Sequence, residues 1–189
     1  MSLISYREFS LRKINSILVL LIILSLFVHA LLSGLCLANL IAYTPNMVVT
    51  GMICLLFASL HIIISLYLYI RDRLKQRNIR VYNHINNDTV VQAISGFCIV
   101  VFVVLHILSY IYLPAHIYNI YWNIAHVIVD TSLVISLYVH LQLSIPRMLV
   151  SLGFLVDEGA YDKCQKYTRI ILLICVIALF FAEISHYIL

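Results

Sequence analysis

Four histidines, His29, His61, His106 and His140, each fall deep inside a different long apolar segment of the chain. A titratable ring in a hydrocarbon environment is costly, so its presence there is a functional hypothesis by default. Neutral imidazoles are transition-metal ligands, and two of them from facing helices form the usual axial set of a low-spin b-type haem. Zinc suits the pattern less well, because it takes three or four clustered ligands, usually with cysteine or a carboxylate among them. The plain alternative is that each histidine hydrogen-bonds a neighbouring helix and serves only packing.

The elements that must position these rings are legible from composition. The 189 residues are 63% hydrophobic and 11% charged, which excludes a soluble domain and indicates a polytopic helical membrane protein. Five segments, about 15–40, 47–70, 90–113, 122–146 and 167–188, exceed the ~20 residues a helix needs to cross a bilayer core. They are continuous apolar runs without period-2 alternation, so strands are excluded. The fold expected is an all-α bundle of five transmembrane helices forming one domain over 1–189. Asp88–Thr89 reads as a cap opening span 3, and residues 71–88 as a polar connector. Pro45 and Pro114 punctuate two turns, and Pro146 marks a kink or the end of span 4. Residues 148–156 are too short to span again and are expected along the membrane interface before an acidic turn at Asp157, Glu158 and Asp162.

All twelve basic residues fall on one side of this topology. Arg7, Arg12 and Lys13 precede span 1; Arg71, Arg73, Lys75, Arg77 and Arg80 follow span 2; Arg147, Lys163, Lys166 and Arg169 lie between spans 4 and 5. The positive-inside rule then puts the N-terminus in the cytoplasm and the C-terminus outside. The net charge of +4 is thereby a topology signal, and nucleic acid is not an expected partner. The polar N-terminus and the length of span 1 argue against a cleaved signal peptide. The five cysteines form no CxxC pair and read as small packing residues.

Depth sorts the histidines. At ~1.5 Å per residue, His29 and His106 stand roughly 20 and 24 Å from the inner surface on the two outward-running spans, in the outer half. By the same rise, His61 and His140 stand roughly 21 and 27 Å from the outer surface on the inward-running spans, in the inner half. The chain therefore offers an outer pair (His29, His106) and an inner pair (His61, His140). Separations of 77 positions from His29 to His106 and 79 from His61 to His140 make spans 1–2 and 3–4 a weak parallel repeat, with span 5 outside it. Small residues flank the rings: Ser33 and Gly34 after His29, Ser65 near His61, Gly96 ahead of His106 and Ser136 near His140.

Further polar residues lie within the spans. His126 and Asp130 are i,i+4 on one helix face, and with Glu183 and His186 they fall toward the outer side. A buried carboxylate beside a histidine could take up protons near the outer centre, or Asp130 could be a structural hydrogen-bonder with Glu183 at the interface. Arg71 and Arg147 flank the inner level and could pair with haem propionates, or simply anchor the cytoplasmic face. His84 and His116 are expected in solvated loops. Tyr43, Tyr110, Tyr112, Tyr118, Tyr121 and Trp122 read as one aromatic belt, Tyr67 and Tyr69 as the other.

The segment QAISGF (Gln92–Phe97), with His106 ten residues after its glycine, resembles the start of a haem-bearing helix in the di-haem cytochrome b subunit of quinol:fumarate reductase and succinate:quinone reductase. His140 with Arg147 seven residues later, then an apolar stretch, an acidic turn and a basic start to the last helix, resembles the same family. Ser16, thirteen residues before His29, fits its first helix. The chain departs from the family at Tyr138, where some members carry a carboxylate, and at Leu141, where glycine is common. It also has no acidic residue between Glu8 and Asp72.

The resemblance implies the same ligand pairing as depth does: His61 and His140 on an inner haem b, His29 and His106 on an outer one. It implies a non-flavin subunit of a succinate:quinone or quinol:fumarate oxidoreductase in the prokaryotic plasma (inner) membrane. Such a subunit passes electrons between a membrane quinone, menaquinone or ubiquinone, and a cytoplasmic iron–sulfur subunit, and His126, Asp130 and Glu183 are then the candidate groups to take quinol protons. Dicarboxylate chemistry, FAD and the iron–sulfur clusters belong to partner chains, so no catalytic residue for the dicarboxylate is expected here. The docking surface implied is the basic loop 71–80 with segments 147–169. The alternatives are a di-haem b subunit of a hydrogenase, formate dehydrogenase or ferric reductase, and a haem-free structural subunit or transporter.

Overall fold

The computed structural model describes residues 3–75, 83–112 and 120–188. Among them the fold is all-helical, with five α-helices in succession: α1 (Leu3–Leu37), α2 (Pro45–Lys75), α3 (Asn83–Tyr112), α4 (Ile120–Leu152) and α5 (Glu158–Tyr187). All five are long and apolar enough to cross a membrane. Pro114, His116, Tyr118, Arg77 and Arg80 lie outside the described residues.

The helices outrun the apolar spans. Hydropathy reports where hydrocarbon ends, whereas a helix continues as long as propensity and hydrogen bonding support it. The α1 helix therefore starts at Leu3, ahead of its basic residues. The α3 helix starts at Asn83, which places Asp88 and Thr89 inside the helix instead of at its cap, and puts His84 on a helix instead of in a loop. Pro146 does not end α4, which continues to Leu152, so residues 148–152 extend that helix. The surroundings explain this: Leu143, Ser144, Pro146 and Met148 are all buried, and in such a setting peptide groups find no partner better than the helix itself.

Local chemistry sets the ends. Asn39, at φ 57°, closes α1 in a left-handed turn in which Leu40 N–H reaches the Leu35 carbonyl and Asn39 N–H that of Cys36. Gly153, at φ 85°, closes α4 in the same way, with Phe154 N–H on Leu149 and Gly153 N–H on Val150. Asp157 caps α5, its Oδ1 accepting from Ala160 N–H at 2.7 Å. Pro45 occupies the first position of α2, where its missing N–H costs nothing.

The chain forms two compact units. One holds α1 up to Ser33, α2, and α4 from Arg147 onward; the other holds α3, α4 up to Pro146, and α5 from Asp162 onward. In the first, Ser16 on α1 donates to Ser151 Oγ at 2.8 Å, tying α1 to the last turn of α4. The second contains most of the buried polar residues: Ser95, Ser109, His126, Asp130, Ser144, Thr168 and Glu183. Large apolar side chains such as Phe27, Ile63, Phe97, Ile111, Ile128 and Phe181 face outward. An apolar exterior over a polar interior is what lipid demands, since lipid satisfies no hydrogen bond and does not drive apolar side chains inward.

Candidate functional site

In the first unit, His29 Nδ1 lies 3.0 Å from the carbonyl oxygen of Met47 on α2. A carbonyl only accepts, so Nδ1 carries the hydrogen and Nε2 is the basic nitrogen of the neutral ring. The Thr50 hydroxyl donates to the same carbonyl at 2.9 Å and stands 3.5 Å from His29 Nδ1. A Cβ at Gly51 would come within 3.1 Å of the His29 ring, so the imidazole lies directly on the α2 backbone.

The second unit repeats this cradle around His140. Its Nδ1 lies 3.1 Å from the Gln92 carbonyl on α3. The Ser95 hydroxyl donates to that carbonyl at 3.1 Å and stands 3.2 Å from Nδ1. A Cβ at Gly96 would come within 3.3 Å of the ring. In both places one helix supplies a carbonyl, a hydroxyl three residues on and a glycine four residues on. The segments are Met47-Val48-Val49-Thr50-Gly51 and Gln92-Ala93-Ile94-Ser95-Gly96. The QAISGF segment thus holds the ring of His140 on the neighbouring helix, and Gly96 lies against His140 although it precedes His106 in the chain.

The other two histidines are held by side chains. His61 Nδ1 donates to Asn15 Oδ1 at 2.9 Å, and Ser65 donates to the same oxygen at 3.2 Å. His106 Nδ1 donates to Asp130 Oδ1 at 2.6 Å. Asp130 is buried, and its second oxygen accepts from Tyr110 Oη at 3.1 Å. Glu183, on α5, is also buried. Tyr110 and Tyr187 share a hydroxyl contact of 3.0 Å. His126, with 0% exposure, stacks on Tyr187 at 1° between planes and meets Tyr110 edge-on. His126, Asp130 and Glu183, singled out from sequence, therefore come together with His106 in one cluster across α3, α4 and α5.

Beside this cluster lies an apolar cleft of about 210 Å³, with Thr131, Ile135, Ile177, Phe180 and Glu183 among its walls. Thr131 Oγ1 and Glu183 Oε2 are buried, with no hydrogen-bond partner among the described residues. Arg71 lies over its own helix's Tyr67 ring at 5.9 Å, and Arg147 is half-buried just past Pro146. Ser136 bonds back to the Ser132 carbonyl and not to His140, and Gly34 packs toward Leu179. All five cysteines are unpaired thiols. Among the described residues, no three His, Cys, Asp or Glu side chains gather as ligands for a bare metal ion.

Sequence reasoning missed Asn15, Thr50, Gly51, Tyr110 and Tyr187. A lone amide near the start of an apolar span and a lone glycine inside another were the available signals for Asn15 and Gly51. Comparison with protein-family models, with curated proteins and with solved structures finds no match.

Proposed function

We propose that this chain is a di-haem b membrane anchor and electron-transfer subunit of a succinate dehydrogenase or fumarate reductase complex. The observation that carries the haem reading is the twin cradle: two histidines on different helices are held by the same carbonyl, hydroxyl and glycine set. With Nδ1 committed as donor and the ring pressed on a backbone, each imidazole has a fixed tautomer and plane. That is what an axial ligand requires, and packing alone has no use for such repetition. His61 and His106 also bring Nδ1 to an oxygen acceptor, so in each ring Nε2 is the nitrogen that would meet a haem iron, the Ser65 hydroxyl lying 3.4 Å from that of His61.

Depth along the helices pairs His29 with His106 and His61 with His140. Bound haem b supplies reversible one-electron transfer. Arg71 and Arg147 lie near the ends of the helices bearing His61 and His140, where they could meet propionates. The cluster of His126, Asp130 and Glu183, next to a cleft walled by Glu183, is the candidate contact for the hydroxyl or carbonyl groups of a membrane quinone. The flavoprotein and iron–sulfur partners, the cytoplasmic side of docking and the prokaryotic plasma membrane rest on the family resemblance and on the basic residues.

The test is the absorption spectrum of the full chain purified from membranes, with variants of each histidine. The expected result is Soret and α-bands from two haems b. His29→Ala and His106→Ala should remove one centre, and His61→Ala and His140→Ala the other. A haem-free structural subunit would show no bands. A subunit of a hydrogenase, formate dehydrogenase or ferric reductase would show them but co-purify with a different partner. Loss of one shared centre in both His29→Ala and His140→Ala would overturn the pairing.

A further inference from the structure

Within each proposed ligand pair, one histidine is held by a backbone cradle and the other by a side-chain oxygen. The two cradles are alike: Met47 carbonyl with Thr50 and Gly51 for His29, and Gln92 carbonyl with Ser95 and Gly96 for His140. The side-chain acceptors are Asp130 for His106, at 2.6 Å, and Asn15 for His61, at 2.9 Å. Aspartate and asparagine have the same shape and differ in charge. We infer that Asp130 and Asn15 are positioning residues that distinguish the two centres electrically, the carboxylate making His106 a more electron-rich ligand than the amide makes His61. The inference rests on the haem reading above.

The physical basis is second-shell control: a ligating imidazole that donates its other N–H to a carboxylate is a stronger base than one donating to a neutral oxygen. A more basic axial ligand favours the ferric state and lowers the reduction potential. Burial strengthens the effect, because little water screens the charge. Asp130 is 4% exposed and held on its other oxygen by Tyr110, so its orientation toward His106 is fixed before any ligand binds. Asn15 is half-buried, its oxygen accepting from both His61 and the Ser65 hydroxyl.

Reciprocal variants of the full chain, in its membrane complex, test this by redox titration of the α-bands and by the low-spin ferric signals in electron paramagnetic resonance. Asp130→Asn should raise the midpoint of one centre only, the one that His106→Ala removes. Asn15→Asp should lower the midpoint of the other, the one that His61→Ala removes. The expected size is about tenfold in the oxidised-to-reduced ratio at a fixed ambient potential, which is about 59 mV for one electron. Should either variant fail to assemble, the other decides. Both midpoints unmoved with haem spectra intact, or both centres moving together, would overturn this inference and leave the ligand assignment standing. Absence of haem bands from the unaltered chain would overturn both.

Discussion

At the scale of single residues, the four histidines are visible in the sequence because an imidazole in an apolar run is costly and needs a partner. Their partners were less visible, for two physical reasons. Every residue carries a carbonyl, so nothing in the letters marks Met47 or Gln92 as acceptors. The pairs Asn15–His61 and Tyr110–Asp130 join helices, and span periodicity does not report which faces meet. Tyr110 illustrates the loss: 46% exposed, it reads as belt aromatic, yet its hydroxyl is committed to Asp130. The glycines carry the sharpest prediction at this scale. Alanine at Gly51 or Gly96 puts a methyl within 3.1 or 3.3 Å of a histidine ring that the neighbouring carbonyl holds in place. Overpacking of this kind costs about 1–3 kcal/mol. Gly51→Ala should perturb the centre assigned to His29, Gly96→Ala the one assigned to His140, each leaving the other's α-band unchanged. Spectra of the two variants, with thermal unfolding of each in detergent, check this.

At the scale of helices, hydropathy found every spanning element and misplaced its ends. Span length follows the hydrocarbon, so the polar residues 71–75 and 83–88 read as parts of a connector although they belong to α2 and α3. Pro146 reads as a kink or an end because proline removes a backbone donor; of the two the end is excluded, since α4 continues to Leu152 through buried surroundings. The real stop is seven residues later, where Gly153 takes a φ of 85° that other residues adopt at a cost of about 1–2 kcal/mol. Asp157 then starts α5 by accepting the Ala160 N–H, a cap whose loss costs about 1 kcal/mol. Gly153→Ala and Asp157→Ala should each lower the thermal midpoint by amounts consistent with those costs while leaving the bands of the proposed haems unaltered. Pro146→Ala should leave the extent of α4 unchanged, because packing and not the proline decides where that helix runs. Thermal scans and far-ultraviolet circular dichroism read the outcomes.

At the scale of the whole molecule, the helical class and the five membrane-length helices among the described residues follow from long apolar runs without period-2 alternation, which rule out a barrel and leave helices to satisfy the backbone in lipid. Orientation is a separate proposal, resting on the positive-inside reading of the twelve basic residues in the sequence. The proposed ligand pairing does not depend on it: counted along alternating spans, inverting the entire chain exchanges the outer and inner expectations but leaves the proposed pairs, His29 with His106 and His61 with His140, as they are. What inversion would change is the side on which Arg71, Arg147 and the other basic residues meet a partner. Fusing a reporter that fluoresces only in the cytoplasm to either end separates the two matters. The N-terminal fusion should fluoresce and the C-terminal fusion should remain dark, matching the positive-inside assignment. The reverse pattern would exclude a cytoplasmic iron–sulfur subunit docked on the basic surface, while the histidine variants would still lose their centres in the same two pairs.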